Sequence, residues 1–260
     1  MPRCDFCGEE FDEQAPLRDH IESEHREEAR EEMKSDGWQK KHLAVKYSLT
    51  LMVIIGAGLV IPQILNEASL IEENSTENSI NSNPMLGEES APVTVIFFGD
   101  YKCTTCSGIS NYFITGDFRS RFIDDGKAKL YFVNYDYLNT ENGDSSRSAA
   151  IAGECVNRQS QEQFWKFHNR VFNEQKDQTE DWATEDYLSN LVRESTSDLN
   201  YTEFNRCLTE EETLEEVNKD KKTGISMNVG QVPSVFVNGE KVEDPTPDNI
   251  GSKVAEKLGQ

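Results

Sequence analysis

The stretch PVTVIFFGDYKCTTCSG, residues 92–108, places two cysteines directly after a β-rich apolar run. The run at 92–98 is typical of a buried strand, and Gly99 ends it. A Cys-x-x-Cys pair is either half of a zinc site or a dithiol that cycles through a disulfide. The chemistry of Cys103 and Cys106 therefore depends on the compartment in which they lie.

The residues after Cys103 predict a helix. Cys106 and the apolar residues that follow it recur near helical spacing, at Ile109, Tyr112 and Phe113. Cys103 then lies at the helix N-terminus, where the helix dipole and free backbone N–H groups stabilise a thiolate and Lys102 adds a positive neighbour. We therefore expect a lowered pKa for Cys103 and a more buried, resolving position for Cys106.

The segment 47–65, YSLTLMVIIGAGLVIPQIL, contains no charged residue. A helix of nineteen residues spans about 28 Å, close to the ~30 Å hydrocarbon core of a bilayer. The segment follows 46 residues of polar chain and lacks a clear cleavage site. We therefore interpret it as an uncleaved single-pass helix in the cell membrane, rather than as a signal peptide or a buried globular helix.

The charges on either side of this segment predict its orientation. Lysines occur in the basic segment 37–46, whereas no Lys or Arg occurs from Asn66 to Tyr101. The positive-inside rule then puts the N-terminus in the cytoplasm and everything after Leu65 outside it. The two Cys-x-x-Cys pairs of the chain thus lie on opposite sides of a membrane. A reducing cytoplasm favours thiolates on metal, and an oxidising exterior favours disulfide chemistry.

The N-terminal segment 1–36 carries the residues of a zinc site. Cys4 and Cys7 are followed by His20 and His25, and two thiolates with two imidazoles complete a tetrahedral Zn²⁺ shell. The spacing resembles that of the small ββα zinc finger with two Cys and two His ligands, in which the metal is structural. A disordered acidic tail with chance spacing is the alternative.

Nucleic acid is not expected as a partner. The chain has 48 acidic and 26 basic residues, a formal net charge of -22, whereas phosphate binding requires clustered Lys and Arg. The positions that read bases in such a finger hold Glu13, Pro16 and Asp19, which do not suit a phosphate-lined groove. We expect the finger to contact a cytoplasmic protein or to be purely structural.

The segment 66–86 is rich in Asn, Ser and Glu and has no apolar periodicity. Such a composition does not compensate the entropy lost on ordering, so we predict a flexible linker between the anchor and an outer domain at 87–260. Asn74 and Asn200 lie in glycosylation sequons, whose occupancy the sequence leaves open.

The outer domain alternates strand and helix patterns. After the dithiol we predict a strand at 129–138, helices over about 145–222, a strand pair within 231–242 that turns at Asn238-Gly239, and a helix to about Leu258. A strand, a CxxC helix, a second strand and a Pro-led hairpin followed by a helix are typical of an α/β thioredoxin organisation. The long helical stretch is then an insertion between its two halves.

Over roughly 87–258 the sequence resembles the DsbA-like thiol-disulfide oxidoreductases of the thioredoxin superfamily. The resemblance lies in APVTVIFFGDYKCTTC at 91–106, AGECVNRQSQEQFWKFHNRVF at 152–172 and GQVPSVFVNG at 230–239. It implies a thioredoxin fold with an inserted helical subdomain, and redox catalysis by Cys103 and Cys106 without a further cofactor.

By the same resemblance, Val232-Pro233 is the cis-proline loop that lies against the dithiol and pairs with the substrate backbone. A trans proline at the start of an edge strand is the alternative. Two positions depart from the usual pattern, because Thr-Thr separates the cysteines in place of a proline-containing pair, and Val232 stands where Thr is frequent. Both positions tune redox poise, so the direction of electron flow stays open.

The helical insertion contains two further cysteines. Cys155 and Cys207 lie on apolar helix faces, and we expect a structural disulfide between them; two buried inert thiols and a second redox relay are the alternatives. We expect His168 to be a satisfied structural histidine. Two apolar stripes are expected to pack in the core: Phe164, Phe167, Val171 and Phe172, and Leu188, Leu191 and Val192.

These observations favour a membrane-anchored oxidoreductase that promotes disulfide formation in exported proteins and exchanges electrons with a membrane redox partner. A reductase or isomerase on the same side of the membrane is the alternative with the same chemistry. A transmembrane adaptor or sensor without enzymatic activity, whose zinc finger binds a cytoplasmic protein, is the alternative from another class.

Overall fold

A computed structural model describes residues 80–138 and 143–259. All of them lie in one compact unit, Glu73–Gln260. The predicted zinc finger, the predicted anchor at 47–65 and the linker up to residue 79 lie outside the described residues. Within the described ranges, none of the helices is long and apolar enough to cross a membrane.

A five-stranded mixed sheet forms the centre of the domain, with the strand order β1-β3-β2-β4-β5. Its strands are β1 (Met85–Leu86), β2 (Val93–Gly99), β3 (Ala128–Asn134), β4 (Ser234–Val237) and β5 (Glu240–Val242). The central strands β2 and β3 are parallel, and every other pair is antiparallel. Alternate residues of β2 pack into two clusters on opposite faces, Val95 and Phe97 in one and Ile96 and Phe98 in the other. Both faces of the sheet are therefore covered, as the continuous apolar run predicts.

Seven α-helices and one π-helical turn, Arg119–Ile123, surround this sheet in the described residues. The helices are α1 (Thr104–Ile114), α2 (Ser145–Gln159), α3 (Gln161–Glu174), α4 (Glu185–Ser195), α5 (Tyr201–Thr209), α6 (Leu214–Ser226) and α7 (Pro247–Lys257). Helices α2 to α6 lie between β3 and β4, which confirms the helical insertion in a thioredoxin-like fold. The CxxC helix, the hairpin at Asn238-Gly239 and the last helix are also confirmed.

The second predicted strand is shorter than expected. β3 ends at Asn134 rather than at residue 138. The backbone N–H of Tyr135 donates to the carbonyl of Gly99 at 2.9 Å, and that of Leu138 donates to Asp100 Oδ2 at 2.7 Å. These bonds turn residues 135–138 over the end of β2, toward the loop that carries the dithiol.

The prediction of a linker as far as residue 86 was wrong for its last seven residues. Ile80 is buried in the second core cluster, and β1 pairs with β3. Asn83 is also buried, and its Nδ2 donates to Asp220 Oδ1 at 2.7 Å. These partners lie far along the chain, so the local composition does not reveal them, and residues 80–86 belong to the folded domain.

The insertion is closed by a disulfide between Cys155 on α2 and Cys207 on α5, with 5.9 Å between the two Cα atoms. The expectation of a structural disulfide is thus confirmed, and the two alternatives of inert thiols and a redox relay are not. Both predicted apolar stripes of the insertion are buried, which confirms their place in the core.

Candidate active site

The loop between β2 and α1, which carries Cys103, is organised around the buried side chain of Asp100. The backbone N–H of Lys102 donates to Asp100 Oδ1 at 2.8 Å, and that of Cys103 donates to the Asp100 carbonyl at 3.0 Å. Leu138 binds the other carboxylate oxygen from the chain after β3. Burial raises the pKa of Asp100 above its ordinary value. Asp100 thus fixes the turn from which α1 begins, and the sequence argument missed it.

Cys103 is the N-cap of α1, as predicted from the helical spacing. Its Sγ accepts the backbone N–H of Cys106 at 3.2 Å and lies 3.5 Å from Thr105 Oγ1. Hydrogen bonds from the Cys106 thiol, the Thr105 hydroxyl and the Cys106 backbone lower the pKa of Cys103 to about 6, although burial opposes them. Hydrogen bonds, rather than the charge of Lys102, are therefore the main cause of the lowered pKa.

Cys106 lies one turn further along α1 and is fully buried. Burial, the hydrogen bond that it gives to Cys103 and the charge of that neighbour all raise the pKa of Cys106 above its ordinary value. The two sulfurs are therefore unequal. One is an activated nucleophile at a helix end, and the other stays protonated until it is attacked or expelled.

The second strand pair brings Val232 and Pro233 against the dithiol. The peptide bond between them is cis, as the resemblance implies. Cys103 Sγ lies 3.9 Å from the Val232 carbonyl oxygen. Gly230 and Gln231, which precede this pair, are exposed. The structure thus brings together all four residues predicted for the site, and leaves backbone beside them open for an extended peptide.

The C-terminal end of helix α3, in the insertion, is hydrogen-bonded to the loop that carries the dithiol. Gln175 at its C-terminus donates from Nε2 to the carbonyl of Tyr101 at 2.8 Å and to that of Cys103 at 3.5 Å. Ser107 in the first turn of α1 donates to the carbonyl of Phe172 at 3.1 Å. The sequence argument missed Gln175, because it lies 72 positions after Cys103 and only the fold brings it near.

His168 is buried behind the active-site loop, and both of its ring nitrogens have partners. Nδ1 lies 3.0 Å from the Tyr101 hydroxyl, and Nε2 lies 2.9 Å from Ser110 Oγ. Burial lowers the pKa of His168 to about 3. The expectation of a satisfied structural histidine is confirmed, since a neutral imidazole ties α3 to the dithiol loop and to α1.

Two buried acids lie at the end of β3. Asn134 Nδ2 donates to Glu154 Oε1 at 2.8 Å, and the Asn134 backbone N–H donates to Asp220 Oδ2 at 2.9 Å. Burial raises the pKa of both carboxyls, and the charge of Asp220 raises that of Glu154 further. In the sequence pattern, Asn134, Glu154 and Asp220 are only polar interruptions of apolar strand and helix faces. Their pairing therefore could not be predicted from the sequence.

Metal ligands were predicted only near the N-terminus. Cys4, Cys7, His20 and His25 lie outside the described residues. Within 80–138 and 143–259, no group of three or more His, Cys, Asp or Glu side chains is arranged to hold a metal ion.

Comparison with known proteins finds a matching family and relatives named disulfide bond formation proteins. Residues 79–255 match the family described as thioredoxin. The chain is 30% identical over 216 residues to the probable disulfide bond formation protein D of Bacillus anthracis, covering 83% of this chain and 95% of the relative. It is 35% identical over 170 residues to disulfide bond formation protein D of Bacillus subtilis, covering 65% of this chain and 74% of the relative.

Solved structures agree with this assignment. The crystal structure of oxidised BdbD from Bacillus subtilis has a TM-score of 0.64 and 31% identity, over 70% of this chain and 95% of that chain. DsbA from Chlamydia trachomatis has a TM-score of 0.59 and 23% identity, over 68% of this chain and 92% of that chain, and supports the fold alone. The chain therefore belongs to the thioredoxin family and is a DsbA-like protein disulfide oxidoreductase.

Proposed function

We propose that this protein is a membrane-anchored oxidase that forms disulfides in exported proteins, with Cys103 and Cys106 as its catalytic pair. The observation that carries the proposal is the geometry at Cys103, whose Sγ accepts the backbone N–H of Cys106 at 3.2 Å and lies 3.5 Å from Thr105 Oγ1, so that its pKa is lowered to about 6. These hydrogen bonds are strongest to a thiolate, which only the reduced state contains. Stabilising the reduced state makes the disulfide form a stronger oxidant, which favours electron flow from substrate to protein.

Each turnover moves two electrons from a substrate dithiol to the protein. A substrate thiolate attacks Cys103 Sγ, the bond to Cys106 breaks, and Cys106 leaves and takes up a proton because its pKa is raised. The second thiolate of the substrate then attacks the substrate sulfur of the mixed disulfide, which is bonded to Cys103. Cys103 leaves as a stable thiolate, the substrate is released with a disulfide, and the protein is left reduced.

The Val232-Pro233 loop orients the substrate in this scheme. The Val232 carbonyl lies beside Cys103 Sγ, and the preceding residues Gly230 and Gln231 are exposed at the end of the sheet. An extended substrate segment that pairs with this backbone places its cysteine in line with the attacked sulfur. Specificity then rests on main-chain pairing, so many exported proteins can serve as substrates.

The membrane anchor is the uncharged segment 47–65, with the N-terminus in the cytoplasm and the catalytic domain outside. The 216 residues matched by the Bacillus anthracis relative exceed the 181 from Ile80 to Gln260, so the match also takes in chain upstream of the described domain.

A membrane redox partner reoxidises the reduced dithiol. On the cytoplasmic side, Cys4, Cys7, His20 and His25 would hold a structural Zn²⁺ in a finger that contacts a protein.

The redox state of the dithiol in growing cells tests the oxidase proposal. Cells are quenched in acid, and thiols are then labelled with an alkylating agent that adds mass. We expect Cys103 and Cys106 to rest mainly as a disulfide, with the Cys103→Ser variant as the control that cannot form it. A resting dithiol would instead favour a reductase, and a full-length protein that is absent from the membrane fraction would contradict the anchor.

A further inference from the structure

The aromatic core behind the dithiol contains a polar ring, that of His168, which is fully buried. The rings of Phe132, Phe164, Trp165 and Phe172 pack around it, with centroids between 4.4 and 5.4 Å away. An apolar side chain would suit these neighbours at least as well, because a buried polar group costs free energy unless it is hydrogen-bonded. The role of the imidazole therefore lies in its hydrogen bonds.

The two hydrogen bonds of His168 reach both sides of the CxxC motif. Nδ1 lies 3.0 Å from the hydroxyl of Tyr101, which precedes Cys103 by two residues. Nε2 lies 2.9 Å from the hydroxyl of Ser110, which follows Cys106 by four residues. A neutral imidazole has one N–H donor and one acceptor, so one hydroxyl donates to the ring and the other accepts from it. His168 thus bridges the loop that leads to the motif and the helix that carries it.

This bridge is closed to solvent at both ends. Tyr101 and Ser110 are fully buried, like His168 itself. A β-carbon at Gly153 of α2 would lie only 3.2 Å from the Tyr101 hydroxyl oxygen, so α2 covers that end of the bridge. Movement of the loop against α1 would break one of the two bonds and leave buried polar groups unpaired, which costs stability.

The bridge is also uncharged. Burial lowers the pKa of His168 to about 3, so the ring stays neutral over the range in which the Cys103 thiol ionises. A buried cation in its place would attract the thiolate and carry a cost of desolvation. His168 therefore acts on the dithiol through distance and direction, and not through its own charge.

Two further contacts follow His168 along the same side of α3. The carbonyl of Phe172 accepts the Ser107 hydroxyl at 3.1 Å, and Gln175 donates to the Tyr101 carbonyl at 2.8 Å. Residues spaced by four and then three positions share one face of a helix. The insertion thus contacts the dithiol segment at three successive points, and His168 bonds to both the loop and the second turn of α1.

The acidity of Cys103 depends on how α1 is placed against this loop. The loop holds the residue, since the Cys103 N–H donates to the Asp100 carbonyl at 3.0 Å. The donors to its sulfur belong to α1, namely the Cys106 N–H at 3.2 Å and the Thr105 hydroxyl at 3.5 Å. Hydrogen bonds weaken steeply as their geometry is lost. A small shift of α1 against the loop would therefore raise the pKa of Cys103.

We propose that His168 is a positioning residue for the dithiol, whose two hydrogen bonds fix α1 against the loop and thereby set the reactivity of the Cys103 thiol. It acts through Tyr101 and Ser110 and takes no part in electron transfer. The inference rests on the proposed catalytic role of Cys103, and it holds for either direction of electron flow. It gives the inserted helices a part in the chemistry of the site, beyond covering the sheet.

Alkylation of Cys103 measures this positioning. The reduced full-length protein is treated with iodoacetamide at a series of pH values, and mass spectrometry follows the rate at Cys103 separately from the other thiols of the chain. His168→Phe keeps a ring among the aromatic neighbours and removes both hydrogen bonds. We expect the pKa obtained from the rate profile to rise by about one unit, a tenfold change in the proton affinity of the thiolate.

A second variant separates positioning from stability. His168→Phe leaves two buried hydroxyls unpaired and should lower the free energy of unfolding in urea. Adding Tyr101→Phe and Ser110→Ala removes those hydroxyls and should recover most of the loss, because a buried polar group costs most when only its partner is missing. The raised pKa should persist in this triple variant, since the bridge is still absent. A pKa that returned to the wild-type value together with the stability would overturn the positioning role.

Val192→Ala is the matched control. Val192 is fully buried on α4, so its truncation destabilises the insertion through a cavity and leaves the bridge in place. The rate profile of Cys103 should not change in this variant, and a shift as large as that of His168→Phe would overturn the proposal.

An unchanged profile in His168→Phe would overturn the proposal as well. The catalytic role of Cys103 is judged separately, by whether the wild-type protein oxidises a peptide dithiol. Should His168→Phe not fold, His168→Gln keeps a polar atom for Ser110 and loses the one for Tyr101. Its profile should shift in the same direction, and an unchanged one would count against the bridge in the same way.

Discussion

The two cysteine pairs of the catalytic domain have opposite fates. Cys103 and Cys106 lie in the first turn of one helix, where a backbone N–H and a hydroxyl stabilise a thiolate on Cys103. Cys155 and Cys207 are 52 residues apart in the sequence, lie on two different helices and form a disulfide that is buried in the core. The difference teaches that donors to a leaving thiolate, together with access for a second thiol, separate a redox couple from a structural bridge.

The largest expected effect is on catalytic activity, which should depend on Cys103 and Cys106 and not on Cys155 and Cys207. Cys103→Ser should lower the oxidation of a peptide dithiol by about a thousandfold or more, because the attacked sulfur is gone. Given the disulfide form of the peptide, Cys106→Ser should instead accumulate the mixed disulfide of the peptide with Cys103, because the thiol that would release the peptide is gone; a non-reducing gel resolves this species. The matched control changes Cys155 and Cys207 together to Ala and should keep the activity at a temperature where the protein is folded. Loss of turnover in that control would break the comparison.

The second effect separates the pairs by stability. Opening the Cys155–Cys207 bridge, whose sequence separation is 52, should lower the free energy of unfolding by about 4 kcal/mol through the freed entropy of the unfolded chain. Urea unfolding of the Cys155→Ala, Cys207→Ala protein measures the loss. Reduction of Cys103–Cys106 alone should not produce a loss of this size. A change below about 1 kcal/mol would show that the bridge has no structural role.

The third effect concerns pH. The folded pKa of Cys103, about 6, is lower than the value of about 8.5 in an unfolded chain, so its thiolate stabilises the reduced protein above pH 8.5. That contribution is lost as the pH falls through 6. Glu154 and Asp220 have raised pKa values and act with the opposite sign, since their ionisation destabilises the fold as the pH rises.

Both redox forms contain these acids, so the difference in unfolding free energy between reduced and oxidised protein isolates the thiols of Cys103 and Cys106. Cys106 has a raised pKa and acts with the opposite sign only as the unfolded thiol ionises near pH 8.5, so Cys103 dominates the difference at lower pH. We expect that difference to shift in favour of the reduced form from pH 5 to 8.5. The absorbance of the thiolate near 240 nm should titrate over the same range. A Cys103 that stays protonated up to pH 8 would contradict the assignment of the low pKa to this sulfur.

The smallest expected effect concerns the hydrogen bonds that Gln175 of the insertion donates to the dithiol loop. Gln175→Ala removes the donor to the carbonyls of Tyr101 and Cys103, and should lower the free energy of unfolding by about 1 kcal/mol. It should also shift the thiolate titration of Cys103, because the N-cap is less firmly held. Asn173→Ala is the matched control, since Asn173 on the same turn contacts α1 at Asn111 and does not reach the loop. Equal titrations in both variants would exclude a positioning role for Gln175.

The local features of the site could be predicted from the sequence. The cysteine spacing and the apolar run before it are contiguous, so they predicted the strand, the helix N-terminus and the unequal burial of Cys103 and Cys106. The cis bond at Val232-Pro233 came from the resemblance to the DsbA-like proteins. It was not deducible from the composition of the loop.

The rest depends on contacts between distant parts of the chain. Asp100 and Gln175 are common polar residues whose roles arise only when the loop meets the chain after β3 and the insertion. The pairing of Cys155 with Cys207 was open for the same reason. Residues 80–86 have the composition of a linker, and they fold because Asn83 satisfies the buried Asp220 and β1 extends the sheet.

The reduction potential of the Cys103–Cys106 couple tests the central claim most directly. The full-length protein is equilibrated with glutathione buffers and the fraction of disulfide is measured after acid quenching. Stabilisation of the Cys103 thiolate predicts a potential between about -200 and -120 mV, above that of a reductase such as thioredoxin. A value at or below about -270 mV would contradict the account, because the dithiol would then donate electrons rather than accept them.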